Sequence, residues 1–168
     1  SLASMSCLLI QHSFMKKMIG LYGYFLNPLL VWYLEDVEFS IRATAIGAVL
    51  LKSSLLTARH LRTFTWGRKN RMVIYYSFRN LIWTVLITWP KRVLVKQAVR
   101  LFLWQFLANI YCFIKYDPFL YPKIVLDTLL NGKNLLLCRR RTLQTYRSSF
   151  CFESLFSRLE MRHDKLTF

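Results

Sequence analysis

Apolar positions alternate with polar ones at two different periods along the chain, and the change of period divides it. Leu2 to Ile10 predicts a strand and His12 to Ile19 a short helix closed by Gly20. The apolar run Pro28 to Leu34 leads into an acidic cluster. From Asp36 to Gly47 the spacing of Val37, Ile41 and Ala45 predicts an amphipathic helix. Glu38 and Arg42 stand four apart on that helix, and Gly47 is placed to end it. Ala48 to Lys52 and Leu55 to Arg59 predict two short strands around Ser53-Ser54, with His60 directly after.

Beyond the polar, basic break Gly67 to Arg71 the period becomes helical throughout. Met72 to Ile87 predicts a helix carrying Tyr75, Tyr76, Arg79 and Asn80, and Pro90 stops it. A basic helix follows from Arg92 to about Ile114, then another from Tyr121 to Leu130 ended by Asn131-Gly132. Past Lys133 the Arg139-Arg140-Arg141 run predicts a solvated tail, with lipid contact as its functional alternative. The expected division is therefore an α/β part, residues 1–66, and a helical, basic part, residues 67–168. No internal repeat, glycine-rich phosphate loop or G-x-S-x-G elbow is present.

Charge adds a second layer. The chain has 24 lysines and arginines against 8 acidic residues, a net charge of +16, while 55% of its 168 residues are hydrophobic and 16% aromatic. Basic and greasy together fit a surface resting on anionic lipid. Nucleic-acid binding ranks below it, because the charge is not gathered into a nucleic-acid motif. The longest uncharged apolar stretch, Leu101 to Ile114, is shorter than the roughly 20 residues a spanning helix needs, so no transmembrane span is expected. The four cysteines lack CxxC spacing, which favours buried thiols in a reducing compartment over zinc. Residues 1–10 lack the features of a signal peptide, and the start at Ser1 within an apolar segment reads as a truncated or processed chain.

Three of the eight acidic residues, Glu35, Asp36 and Glu38, fall in one short cluster. Asp36 at a helix start is either a cap held ionised by the helix dipole or a general base. His60 is either a surface or capping histidine beside Arg59 and Arg62 or a ligand for a divalent ion. Arg79-Asn80 beside aromatics either orients a phosphate or an active-site loop or serves helix packing.

The order in "LLVWYLEDVEFSIRATAIGAVLLKSSLLTARH", with "YYSFRN" downstream at Tyr75 to Asn80, resembles the acceptor side of inverting family-two glycosyltransferases of the GT-A type, closest to galactofuranosyl- and rhamnosyl-transferase-like members. What this resemblance implies is a partial GT-A domain of α/β class with a helical, membrane-associated C-terminal region. It implies Asp36 as catalytic base, Glu35 as its acceptor-positioning neighbour, Glu38, Arg42, Arg79 and Asn80 as orienting residues and His60 as a ligand of Mn²⁺ or Mg²⁺. The implied reaction is transfer of a sugar from a nucleotide-diphospho-sugar to a glycan or lipid-linked acceptor, in the cytoplasm at the membrane periphery, with no nucleic acid. The family's Asp-x-Asp metal motif is absent, and Asp36-Val37-Glu38 is a poor substitute because a helical first turn points its two carboxylates apart. The expectation is that this chain alone transfers no sugar. The alternative is a non-catalytic, basic, amphipathic membrane-binding or scaffold protein.

Overall fold

The computed structural model describes residues 8–49, 71–115 and 117–148, and among these every regular element is a helix. Seven follow in order: α1 (His12–Tyr22), α2 (Glu35–Ala45), α3 (Arg71–Thr88), α4 (Lys91–Lys96), α5 (Ala98–Lys115), α6 (Leu120–Leu130) and α7 (Gly132–Ser148). The expected α/β class is thereby corrected to an all-helical one for the described residues. Leu8 to Ile10, the described end of the first expected strand, is irregular chain, and so are Ala48 and Val49. The rest of the two strands around Ser53-Ser54, together with His60 and the break at Gly67, lies outside the described residues.

Physically, the error came from short apolar runs. Four to eight apolar residues in a row suit a strand or a buried loop equally, and periodicity alone does not separate them. The apolar run Pro28 to Leu34 is a loop, with Leu30 drawn into the core while Val31 and Trp32 stay largely exposed.

α3 is the central element. Its sequence, RMVIYYSFRNLIWTVLIT, is apolar on nearly every side, and a helix of that kind is stable only when surrounded. It packs against α2, α6 and α7, and α1 closes on α7. Helices from both sides of the expected division at residue 66 therefore share one assembly. Three apolar clusters fill it: Met18, Tyr22, Phe39 and Ala43 between α1 and α2; Leu30, Trp83, Ile87 and Leu135 between the loop, α3 and α7; Tyr75, Leu120 and Ile124 between α3 and α6.

Helix ends follow local chemistry with some displacement. α1 runs past Gly20 and stops at Gly23, whose left-handed φ of +80° lets its N–H reach the Ile19 carbonyl at 2.8 Å. α2 ends as expected before Gly47, φ +87°, with the N–H of Ala48 on the Ala43 carbonyl. The expected single helix over 92–114 is two, broken at Gln97 among the β-branched Val93, Val95 and Val99, which hold helices poorly. Asn131 ends α6 as expected. The chain then enters α7 at once, so the basic run expected as a solvated tail is helical and packs on α3 and α1.

Candidate functional site

Two groups of residues carry unusual chemistry: a polar cluster inside the helical assembly, around the residues singled out by sequence, and a cationic-apolar surface on α4 and α5.

The inner cluster begins with a loop conformation that ordinary residues avoid. Trp32, Tyr33 and Leu34 are consecutively left-handed, at φ +53°, +63° and +66°. Each such non-glycine residue costs roughly 1–2 kcal/mol. Asn80 from α3 holds the turn: its amide nitrogen donates to the carbonyls of Val31 (3.1 Å), Trp32 and Tyr33 (2.8 Å). Arg79 in turn donates to the Asn80 amide oxygen at 3.1 and 2.9 Å and to the Leu29 carbonyl at 3.2 Å. That guanidinium lies over the rings of Tyr76 and Trp83, 4.6 and 4.2 Å from their centroids, and burial lowers its pKa. The contacts of Arg79 and Asn80 are to main-chain carbonyls of the loop that delivers the acidic cluster, so the pair fixes that loop to α3.

The left-handed Leu34 is the residue that caps α2, with no side-chain cap bond. The expected capping role of Asp36 is thus displaced by two positions. Asp36 sits in the first turn, half-buried, where its carboxylate accepts from the Val37 N–H at 2.8 Å. Glu35 precedes it, also half-buried, with one carboxylate oxygen enclosed and unbonded among the described residues.

One helical turn later, Glu38 and Arg42 form the expected pair, and both side chains are fully buried. Glu38 Oε1 accepts from Arg42 Nε at 2.8 Å and from Asn27 Nδ2 at 3.4 Å. Arg42 Nη2 donates to the Phe25 carbonyl at 2.9 Å, and its guanidinium lies 4.8 and 4.7 Å from the Tyr22 and Tyr24 ring centroids. Burial holds the Tyr22 phenol up to about 12 despite the neighbouring cation of Arg42. Tyr24 is raised further, by burial and then by the Glu38 charge, and Tyr146 is raised by burial. Arg141 from α7 completes the cluster by donating to the Tyr22 carbonyl at 3.3 Å, a cation placed on the C-terminal end of α1. It lies directly over Gly23, where an added Cβ would meet its Nη1 at 2.6 Å.

Chemically, this arrangement holds charge and does not present it. Glu38 and Arg42 neutralise each other without contact to solvent. Asp36 and Glu35 lie nearer the surface, while His60, the expected metal ligand, lies outside the described residues. No group of three histidine, cysteine or carboxylate side chains is assembled among the described residues. Cys138, on α7, is a half-buried free thiol whose pKa burial raises.

The second group was legible in outline as a basic, apolar helix, but its direction of exposure was not. Lys91, Arg92, Lys96 and Arg100 are all exposed, and so are Val95 and Val99 between them. On α5 the ridge Leu103, Phe106, Ile110 and Ile114 points outward, flanked by Phe102 at 71% and Leu107 at 64% exposure. From Phe39 to Tyr116 the sequence carries no carboxylate side chain at all. A helix face of this kind ordinarily bears charges toward water; here it bears aromatic and aliphatic groups. No helix among the described residues is long and apolar enough to cross a membrane.

No family model, curated protein or solved structure matches this chain. The resemblance to family-two glycosyltransferases therefore rests on residue order alone, and the part of that order among the described residues, Leu29 to Val49, holds a loop and a helix and no strand.

Proposed function

We propose that this protein is a peripheral, non-catalytic module that docks on the anionic face of a membrane, the cytoplasmic leaflet being the natural one for its charge, through α4 and α5. The single observation that carries the reading is the combination on two consecutive helices of four exposed cations and an outward apolar ridge, in a stretch without a carboxylate.

The physical case rests on two additive terms. Lys and Arg near a negatively charged leaflet contribute about 1 kcal/mol each, and burying a leucine or phenylalanine side chain contributes roughly 1.5–3 kcal/mol. Neither suffices alone, since charge-only contacts are screened at physiological salt and a solitary ridge is shared with any apolar surface. Together they select lipid over the other occupants. A second copy of the chain would bring the same cations face to face, and a nucleic acid would leave Phe106, Ile110 and Ile114 in water.

Glycosyl transfer would ask Asp36 and Glu35 to work beside an ion pair already closed on itself, with His60 supplying a metal. The inner cluster is better explained as the scaffold that fixes the N-terminal helices to α3 and α7.

Flotation of the full chain with phosphatidylcholine vesicles, with and without phosphatidylserine, tests the proposal. Binding to the mixed vesicles that weakens as salt is raised is the expected result. Equal partitioning onto both vesicles, or tighter retention on duplex DNA than on lipid, would end it.

A further inference from the structure

The ends of the α5 ridge carry information beyond its composition. Leu103, Phe106, Ile110 and Ile114 recur at helical spacing on one side of α5, so they form a line parallel to its axis. At a rise of about 1.5 Å per residue, the stretch from Leu103 to Ile114 is roughly 16 Å long. A hydrocarbon core is about 30 Å thick, so the line reaches through neither a bilayer nor much more than one leaflet.

Both ends of the line are charged. Exposed Lys96 and Arg100 precede it. At the other end, where α5 turns into α6, Asp117 is paired with Arg71 from the start of α3, and the Arg71 side chain is 66% exposed. The Phe119 N–H and the Arg71 guanidinium hold the Asp117 carboxyl below its usual range, so that end stays ionised at neutral pH. Inserting α5 by either tip would carry an ionised group into hydrocarbon ahead of the apolar residues. Laid lengthwise, the helix keeps both charged ends at headgroup depth while the ridge reaches the acyl chains.

We infer that α5 docks lengthwise, with Leu103, Phe106, Ile110 and Ile114 at one common depth at the headgroup–acyl boundary and Lys96 and Arg100 on lipid phosphates. This rests on the lipid-docking reading above and adds orientation to it. Trp104, half-exposed beside the ridge with its ring 5.8 Å from that of Phe78, ties the docked helix to α3. The rigid core then rides on the surface with α3 behind α5.

A carboxylate scan separates the orientations. Leu103→Glu, Phe106→Glu, Ile110→Glu and Ile114→Glu are made singly in the full chain, with retention of helical circular dichroism as the folding control and exposed Leu136→Glu on α7 as the charge control. Affinity for phosphatidylcholine–phosphatidylserine vesicles is then measured by flotation. The inference expects all four ridge variants to lose affinity by on the order of tenfold or more, within a few-fold of one another, and Leu136→Glu to lose less. Loss confined to Ile114→Glu or to Leu103→Glu would mean insertion by one tip and would overturn it. Unchanged affinity in all four, with phosphatidylserine dependence retained, would overturn the ridge contact while leaving charge-driven docking in place. Failure of the unaltered chain to bind these vesicles would instead remove the reading on which the inference stands. Ridge variants that convert a dimeric chain to a monomer in sedimentation would identify the ridge as a self-interface and overturn it as well.

Discussion

The ion pair around Arg42 and the cations along α4 and α5 use the same kind of side chain for opposite ends. Arg42 is enclosed, neutralised by Glu38 and packed between two tyrosines; Lys96 and Arg100 are exposed, in a stretch of sequence without a carboxylate side chain. A buried pair of this type adds little net stability compared with apolar residues of the same size, yet removing one partner leaves an uncompensated charge inside. Substituting an exposed cation usually changes the stability of the fold by no more than about 0.5 kcal/mol, while its charge stays open to whatever approaches. The contrast separates what fixes this molecule's shape from what it offers to a partner.

The largest expected effect is on the enclosed side. Glu38→Ala strands the Arg42 guanidinium and should destabilise the chain by about 3–5 kcal/mol in denaturant titration. The combined Glu38→Met, Arg42→Leu chain should recover most of that loss. Equal instability of the single and the double variant would show that packing, not the stranded charge, is what matters there.

Asn80→Ala comes next, at about 2 kcal/mol, because three carbonyls lose one shared donor in a turn that is already strained. Asn80→Asp should be no milder, since it replaces the donor by an acceptor. Alkali gives a smaller, graded effect. A tyrosine whose folded pKa is raised contributes stability below pH 10 that is lost as pH rises toward the folded value, because the unfolded chain ionises first. With Tyr22 up at about 12, and Tyr24 and Tyr146 raised in the same cluster, melting temperature should fall between pH 10 and 12. A flat profile across that interval would mean the phenols are not enclosed together. Smallest of all, Phe102→Ser on α5 should change stability by no more than about 0.5 kcal/mol while reducing vesicle binding.

Sequence made helix ends and helix-surface pairing readable where one signal acted alone. Pro90 ended α3, Asn131 ended α6, Gly47 ended α2, and the Glu38–Arg42 pair formed at its expected spacing. It misled where a local signal competed with packing. Gly20 is a plausible stop, but Tyr22 had to reach the core, so α1 continued to Gly23. Of the apolar face drawn through Val37, Ile41 and Ala45, only Ala45 is fully buried; Val37 and Ile41 are half-buried, and Phe39, Arg42 and Ala43 face inward. Arg139 reads as surface charge, yet it is half-buried and donates to the Leu86 carbonyl; Arg141 is exposed as expected and also reaches the Tyr22 carbonyl. Nothing local could reveal that, since the partners lie far back in the chain. The α/β expectation failed for the same reason: short apolar runs were assigned a period they were too short to display.

The most direct test of the contrast is vesicle flotation of the Lys96→Glu, Arg100→Glu chain against the unaltered one, on phosphatidylcholine–phosphatidylserine vesicles at moderate salt. Losing two cations removes about 2 kcal/mol of attraction, close to thirtyfold in affinity, and the added carboxylates deepen that loss. The account predicts at least that drop, with the thermal unfolding curve unmoved. Undiminished binding, or a melting temperature lowered as far as in Glu38→Ala, would contradict it.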